Sequence, residues 1–362
     1  MIGGLIRSLD NMLGRGEAAV TVPPLDGALR PNRKLDEAAS RLALANVDCL
    51  AVVAGELVAS AGSAVYALRN GETWQRHLEF GAEVTCIAAT GDTGLAVALA
   101  SGDIALKGGD FHGRIYRAAA NAGCITAMAA SDSVLYIANG SAANAPQDWQ
   151  LDLLQRHPTG SIWQIELADG GVTQLAAGLA FPAGLAVDGA GLVYSEAWKH
   201  RLVRLDLSKA GQPQVLYADL PGYPGRIAPV RDGYWLAVFA PRSQLVELVL
   251  REPGYRKRMV AEVPRPYWIA PKLRSGRSFY EPLQGGGVKH LGLLKPWAPT
   301  MSAGLCVGLD NAFQPRFSLH SRADGATHGV TCLAEYQGHM FAAARGDDVV
   351  ISIPVHELGG GE

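Results

Sequence analysis

Short apolar runs separated by turns that contain glycine or aspartate dominate the chain from about residue 45 onward. The clearest example is the stretch 181–207, which reads FPAGLAVDGAGLVYSEAWKHRLVRLDL. Two apolar runs flank the segment 188–191, Asp-Gly-Ala-Gly, and an alternating run follows them. Glycine readily takes the positive φ that a tight hairpin turn needs, and alternation is typical of a half-buried strand. The stretch therefore predicts three short antiparallel strands.

The first strand of this unit recurs six times along the chain. The copies lie at 47–52, 84–89, 125–130, 182–187, 224–229 and 330–335. Equivalent residues in successive copies are 37, 41, 57, 42 and 106 residues apart. A period of about 40 residues with three or four strands in each copy is typical of a β-propeller. We therefore predict an all-β fold, with a single six-bladed β-propeller over residues 41–357.

The two long spacings indicate insertions. Residues 144–157 place Trp149 and three leucines after Pro146, a pattern that predicts a short helical insertion in blade three. Residues 253–299 carry no copy of the repeat and are rich in proline, basic and aromatic residues. We predict that this second segment is a lid-like insertion after blade five, because about 47 residues make a marginal core alone.

The two ends of the chain lie outside the repeat. Residues 1–40 predict an amphipathic helix followed by an extended arm, which either completes a blade or wraps the outside. The helical part, residues 1–13, is suited to packing on its own domain or a partner chain, and peripheral contact with a membrane surface is the alternative. Residues 358–362 predict a flexible tail.

Composition and charge exclude several classes of protein. The formal net charge is −2 and no run of lysine and arginine occurs, so we predict no nucleic-acid partner. No apolar run is long enough to span a membrane, so no transmembrane segment is expected. The five cysteines are odd in number and form no CxxC pair, which favours reduced thiols and a cytoplasmic location. Nucleotide-binding and HExxH motifs are absent too, and we predict no cofactor.

The second residue of each copy should form a ring around one mouth of the central channel. In order, the ring holds Asp48, Thr85, Thr126, Ala183, Gly225 and Thr331. A hard cation needs several converging oxygens, some of them charged, so this ring predicts no metal site. Asp48 is its one charge, and burial should raise the pKa of its carboxyl, which would suit a general acid or base. The alternative is an aspartate that caps backbone amides.

The third residue of each copy should face into its blade. This position holds Cys49, Cys86, Ala127, Gly184, Arg226 and Cys332, and buried thiols here would act as small core residues. Arg226 has three open roles: it could pair with Asp48, clamp a ligand carboxylate, or link neighbouring blades.

Further candidates surround the predicted mouth. The residues that we expect to contact a substrate are Thr85, Thr126, Trp149, His157, Phe181, Tyr223, Arg226 and His290. Asp48 and His328, which lies three positions before Thr331, are the candidate proton-transfer groups.

Several segments in order along the chain resemble the strictosidine synthase-like family. They are residues 156–160, 179–186, 195–198, 201–204, 218–224, 234–238 and 330–338. This family is similar to the gluconolactonases, paraoxonases and adipocyte plasma membrane-associated proteins, all six-bladed propellers. The resemblance covers about residues 45–355 and implies the same fold.

The departures from the family pattern concern its metal site. Where metal-dependent relatives have asparagines and an aspartate on the ring, this chain has Thr126, Ala183 and Gly225-Arg226. The resemblance implies that only the first acid is kept, as Asp48, so the chain would be a lactonase or esterase relative without its metal. The blade-six glutamate of strictosidine synthase falls on Thr331, which we take as a third candidate catalytic position.

Three functional hypotheses follow. The first is a metal-independent, strictosidine synthase-like enzyme that performs acid–base lyase, condensation or hydrolytic chemistry on a small apolar or aromatic molecule at the channel mouth. The second is a non-catalytic propeller that binds a small molecule or acts as a scaffold. The third is a calcium-dependent lactonase or esterase. The sequence does not indicate an oligomeric state.

Overall fold

Six four-stranded antiparallel sheets form the blades of a propeller in the computed structural model, which describes residues 22–189, 191–208, 213–282, 289–290, 293–294 and 301–358. Strand β1 (Ser40–Ala43) precedes blade one. Blade one contains β2 (Val47–Val53), β3 (Glu56–Ala61), β4 (Ala64–Arg69) and β5 (Thr73–Glu79). Blade two contains β6 (Val84–Thr90), β7 (Gly94–Leu99), β8 (Ile104–Lys107) and β9 (Ile115–Tyr116). Blade three contains β10 (Ile125–Ser131), β11 (Val134–Asn139), β12 (Gly160–Glu166) and β13 (Val172–Leu179).

The remaining blades follow the same order. Blade four contains β14 (Pro182–Asp188), β15 (Gly191–Glu196), β16 (Arg201–Asp206) and β17 (Gln214–Tyr217). Blade five contains β18 (Gly222–Val230), β19 (Gly233–Pro241), β22 (Gly304–Leu309) and β23 (Pro315–Ser321), with the ribbon β20 (Lys289–His290) and β21 (Leu293–Leu294) between β19 and β22. Blade six contains β24 (Val330–Tyr336), β25 (His339–Ala344) and β26 (Val349–Pro354). The six-bladed propeller predicted from the repeat is confirmed.

Tight turns connect the first two strands of the blades, as the sequence predicts. Ala54 and Gly55, between β2 and β3, have φ of 52° and 73°, and Gln337 and Gly338, between β24 and β25, have φ of 48° and 74°. Two successive residues with positive φ match the right-handed twist of a hairpin. The local sequence therefore sets the register that places the innermost strand of each blade on the channel.

Strand β1 closes the ring. It pairs with β26, Ser40 opposite Ser352 and Ala43 opposite Val349, and so becomes the fourth strand of blade six. The arm that precedes it packs Leu35, fully buried, against side chains of blades five and six. The extended arm therefore completes a blade, one of the two roles that the sequence left open, and removes an exposed sheet edge.

Helical segments lie mainly in the two insertions. Helix α1 (Trp149–Gln155) lies between β11 and β12, so the predicted helical insertion in blade three is confirmed. Helices α2 (Gln244–Arg251) and α3 (Pro253–Glu262) lie between β19 and β22. The second insertion thus interrupts blade five rather than following it, because β22 and β23, which carry no recognisable repeat, complete that blade. Short 3₁₀ turns cover Gly27–Leu29, Pro146–Asp148, Ala197–Lys199, Arg265–Tyr267, Arg345–Asp347 and Val355–Glu357.

No helix within the described ranges is long and apolar enough to cross a membrane. The predicted helix at residues 1–13 and the predicted tail at 358–362 lie outside the described residues, apart from Leu358.

Replacing Leu35 with alanine should lower the free energy of unfolding by about 2–5 kcal/mol, because the cavity opens at the contact between the arm and blades five and six. Urea unfolding at pH 7 measures the loss. Val172→Ala is the control, since Val172 is 41% exposed and its truncation should change stability by less than about 0.5 kcal/mol. A similar loss in both variants would contradict the anchoring role of Leu35.

Candidate functional site

Each innermost strand has an irregularity at the ring position. The ladder register shifts by one residue at Asp48, Thr85, Thr126, Ala183 and Thr331, and β18 shows the same irregularity between Pro224 and Ile227. A β-bulge leaves its extra residue out of the ladder and bends the strand. Backbone carbonyls at these positions are therefore available to groups on the channel axis.

The Arg226 side chain occupies that axis. Its Nε donates to the Thr126 carbonyl (3.1 Å), and its Nη1 donates to the carbonyls of Asp48 (3.0 Å) and Thr331 (3.3 Å). Its Nη2 donates to the Thr85 carbonyl (2.7 Å) and to Asp48 Oδ2 (2.7 Å). A guanidinium has five N–H groups, and five acceptors surround this one. Arg226 of blade five thus binds blades one, two, three and six.

Blades four and five approach each other closely beside Arg226, which supports the position of its side chain on the channel axis. A Cβ atom on Gly184 would lie 2.0 Å from the Gly225 carbonyl oxygen and 2.9 Å from the Arg226 Cα atom. Ser195 donates its hydroxyl to the same Gly225 carbonyl (2.8 Å). The absence of a side chain at Gly184 therefore lets β18 lie close to β14.

Asp48 lies between two guanidinium groups. Arg226 Nη2 is 2.7 Å from Oδ2, and Arg345 Nη1 is 3.2 Å from Oδ1. Burial by itself raises the pKa of the Asp48 carboxyl, but the two cations outweigh that effect and lower the pKa below its usual range. The sequence-based expectation of a raised pKa is therefore wrong. Asp48 is ionised at neutral pH and has no proton to donate as a general acid.

A pocket with aromatic walls lies above this charged floor and has a volume of about 110 Å³. We call it the mouth pocket. Its lining comprises Asp48, Ile125, Thr126, Pro146, Trp149, Phe181, Ala183, Gly225, Arg226, Phe239, Leu273, Thr331 and Arg345. Trp149 meets Phe239 edge to face at 5.5 Å, and Phe181 stacks on Trp198 at 4.4 Å, so the walls support one another.

The two insertions form the upper part of the mouth pocket together. Asp148, just before α1, forms a salt bridge with Arg265 (2.7 Å), and Gln150 donates to the Pro271 carbonyl (2.8 Å). Trp198 of blade four donates its indole N–H to Asp152 of α1 (2.7 Å). These bonds fix Trp149 over the channel. The described part of the second insertion thus covers the mouth, as a lid-like segment should.

The structure brings together six of the eleven residues that sequence analysis selected. Asp48, Thr126, Trp149, Phe181, Arg226 and Thr331 all line the mouth pocket. Thr331 donates its hydroxyl to the Asp48 carbonyl (2.6 Å), and Thr85 contributes its carbonyl to Arg226.

Other selected residues lie away from the pocket. His157 is exposed on the loop after α1. Tyr223 is fully buried behind Trp198 and Phe239, because the aromatic walls close over it. Of His290 only the backbone is described, in the β20 strand, so its predicted contact lies outside the described side chains.

His328 is not placed for proton transfer to a ligand. Its side chain is fully buried outside the pocket lining, with Nδ1 2.9 Å from Ser302 Oγ and Nε2 2.7 Å from the Arg322 carbonyl. Burial lowers the pKa of its imidazole. Both ring nitrogens contact residues that flank β22 and β23 of blade five, which corrects the expectation that its position near Thr331 brings His328 to the site.

Sequence reasoning missed Arg345, Phe239 and Leu273. Arg345 directly follows β25, as Ala197 directly follows β15, so both begin a 3₁₀ turn at the same rim of the propeller. The residue that follows the second strand of each blade could therefore have been selected as a candidate for this rim. Phe239 lies at an irregularity in β19, and Leu273 belongs to an insertion without a repeat, so neither could be found by counting.

The residues of the ring do not fit a metal ion. Both Asp48 oxygens face guanidiniums, four ring carbonyls accept bonds from Arg226 or Thr331, and the remaining ring side chains are hydroxyls, a methyl group and a hydrogen. A further cation would be repelled by Arg226 and Arg345 at short range. Among the residues that the structure describes, no group of three or more His, Cys, Asp or Glu residues could hold a metal.

Comparison with known proteins supports the fold. No family model and no curated protein matches the sequence. A gluconolactonase of Xanthomonas campestris is similar in structure, with a TM-score of 0.56 and 14% identity over 93% of this chain and 95% of that one. A calcium-binding regucalcin of Agrobacterium tumefaciens has a TM-score of 0.50 and 12% identity over 87% and 93%. The chain therefore has the six-bladed fold of gluconolactonase- and regucalcin-type propellers, and the strictosidine synthase-like family receives no specific support.

Replacing Arg226 with methionine should lower the free energy of unfolding by about 3 kcal/mol, because it removes five hydrogen bonds, four to ring carbonyls and one to the Asp48 carboxylate. Chemical denaturation measures the change. Arg76→Met is the matched control, since Arg76 pairs with Glu79 at the surface and should cost less than about 1 kcal/mol. Equal losses would show that Arg226 does not hold the channel together.

Acidification should test the ionised state of Asp48. The native pKa of its carboxyl lies below the unfolded value, so its stabilising contribution is present above about pH 4 and is lost as the pH falls through the native pKa. Wild-type protein should therefore lose more unfolding free energy between pH 7 and pH 3 than Asp48→Asn does. Glu196 and Glu247, whose pKa values are also lowered, are common to both proteins. Parallel pH profiles would contradict the assignment.

Proposed function

We propose that this protein binds a small apolar or aromatic molecule in the mouth pocket, without a metal ion. The observation that carries the proposal is the combination of aromatic walls with a floor on which Asp48, Arg226 and Arg345 compensate one another. Small-molecule sites are concave, mostly apolar and equipped with a few fixed polar groups. A volume of about 110 Å³ suits a molecule of about one ring.

The floor supplies the polar contacts of such a ligand. Thr126 and Thr331 line the pocket, but each hydroxyl already donates to a backbone carbonyl, at 2.6 Å to Pro182 and Asp48 respectively. Arg345 has a side chain that is 33% exposed and bridges Asp48 and Glu83 at the pocket rim. It is therefore the group best placed to donate to an oxygen of the ligand. We expect the ring of the ligand against Trp149 and Phe181, with a carbonyl or similar acceptor directed to Arg345.

Binding fits the geometry better than acid–base catalysis does. Asp48 is ionised and paired, so it cannot supply a proton, and His328 faces away from the pocket. The resemblance to strictosidine synthase would put its glutamate at Thr331, which has no carboxylate and whose hydroxyl donates to the Asp48 carbonyl. Of the first sequence-based hypothesis, the strictosidine synthase-like enzyme, only the metal-independent hydrolytic chemistry is kept, as the second candidate.

That second candidate is a metal-independent hydrolase of lactonase or esterase type. The fold shared with gluconolactonases favours it, whereas the two guanidiniums that lower the pKa of Asp48 make this carboxylate a weak base and rank the hydrolase second. In this role Asp48 would accept a proton from attacking water, and Arg345 would stabilise the charge that develops on the carbonyl oxygen. The calcium-dependent form is disfavoured, because the ring that would hold the cation already holds a guanidinium.

A ligand panel tests the binding proposal. Small aromatic and aliphatic acids, lactones and esters are screened by thermal shift, and hits are measured by calorimetry with wild type and Ala183→Leu, which fills the mouth pocket. We expect the substitution to weaken binding at least tenfold, because the added methyl groups occupy the space of the ligand. Ala89→Leu is the matched control, since Ala89 lines the opposite half of the channel and should leave affinity unchanged. A ligand that binds Ala183→Leu as well as wild type would contradict the proposal.

The same panel separates binding from turnover. Lactone and ester hits are incubated with the protein in the presence of a chelator, and product is followed by chromatography. Binding without product supports the first function, whereas product that disappears in Asp48→Asn supports the hydrolase. Product that forms only after calcium is added would instead revive the calcium-dependent reading and contradict the fit of the ring described above.

A further inference from the structure

Two thiols meet directly beneath the Arg226 side chain. Cys49 follows Asp48 on β2 of blade one, and Cys332 follows Thr331 on β24 of blade six. Their Sγ atoms are 3.8 Å apart. Both thiols are buried, but they line the channel instead of facing into their blades as the repeat predicts, and the repeat alone does not show that two of them touch. They do so because blades one and six are neighbours at the closure of the ring.

The pair faces the half of the channel opposite the mouth pocket, which we call the lower channel. Both cysteines line this cavity of about 410 Å³, whose other walls are mostly small apolar side chains. Its lining extends along the innermost strands to Val52, Pro229 and Glu335, which are exposed at the far face of the propeller. A small solute can therefore reach the thiols from that face, although Cys49 and Cys332 are only 2% and 4% exposed.

The surroundings activate one of the two sulfurs. The hydrogen bond from the Cys332 thiol lowers the pKa of Cys49 to about 7, against the effect of burial and with help from the nearby Arg226 cation. By contrast, burial raises the pKa of Cys124 to about 12 and raises that of Cys306 further. The thiolate is the reactive form of cysteine, so Cys49 is the expected nucleophile.

We propose that Cys49 and Cys332 are an oxidisable dithiol, which a hydroperoxide entering the lower channel converts into a disulfide between blade one and blade six. In the first step the Cys49 thiolate attacks one peroxide oxygen, the O–O bond breaks, and with one proton a sulfenic acid and water result. In the second step the Cys332 sulfur attacks the Cys49 sulfur and its proton leaves with the hydroxyl as a second water. Two thiols and one hydrogen peroxide thus give one disulfide and two waters.

The disulfide would join the ring where only non-covalent contacts now close it. A bond of about 2.05 Å requires the two sulfurs to rotate toward each other from their present separation. The cysteines are 283 residues apart, so the bond closes nearly the whole propeller into one loop and restricts the unfolded chain strongly. Oxidation should therefore raise the thermal stability of the propeller.

The test uses the intact, natively folded chain. Reduced protein is treated with hydrogen peroxide, remaining thiols are blocked with N-ethylmaleimide, and a non-reducing digest is analysed by mass spectrometry. We expect one linked pair of peptides containing Cys49 and Cys332, while Cys124 and Cys306 are recovered as thiols. No linked pair, a bond from Cys49 to Cys86, or oxidation of Cys49 to the sulfinic acid without a bond would each overturn the proposal.

Variants and melting curves provide the second measurement. Cys332→Ser should accumulate a sulfenic acid on Cys49, which dimedone labels, and should show no rise in melting temperature on oxidation. Cys306→Ser is the matched control, because Cys306 is a buried cysteine of blade five outside the pair. Oxidation should raise the melting temperature of this variant as much as that of the wild type. An unchanged melting temperature of the linked wild-type protein would overturn the inference that the bond stabilises the ring.

Discussion

The guanidinium of Arg226 is the interaction on which the centre of this propeller depends. It belongs to blade five and donates to blades one, two, three and six, so one side chain links most of the ring at its axis. The arrangement is possible because bulges turn carbonyls of the innermost strands toward the channel. A buried guanidinium is tolerated only where its N–H groups are hydrogen-bonded and a counter-ion is close. Asp48 is the counter-ion of Arg226.

The same side chain divides the channel and decides the chemistry on each side. Above it lies the mouth pocket, whose walls come from two insertions and whose floor is the paired Asp48. Below it lie Cys49 and Cys332, and the pKa of the Cys49 thiol is lowered by its hydrogen bond with Cys332 and, to a smaller extent, by this charge. The Arg226 guanidinium is thus a fixed cation that the ring carbonyls hold on the axis. The structure thus combines the fold of gluconolactonase-type propellers with a centre that uses a covalently attached charge.

Part of this site was predictable because a propeller converts sequence periodicity into spatial convergence. Residues at one position of the repeat must meet at one radius, so Asp48, Thr126 and Thr331 could be placed at the mouth from spacing alone. The direction of the shift in the Asp48 pKa could not be predicted. The pattern indicated that Asp48 is buried, but it did not indicate the second guanidinium, that of Arg345. Leu273 and Phe239 likewise lie where the repeat is interrupted or irregular, and there no equivalent residue exists to compare.

The sequence by itself determined the six blades, the turns within them and the position of the ring. Each of these follows from local alternation and from glycine at turns, which are properties of neighbouring residues. Only the tertiary structure decided that Arg226 reaches the axis, that β1 joins blade six, and that Cys49 touches Cys332. Those three contacts join residues 178 or more positions apart, and no short-range pattern carries the geometry that brings such residues together.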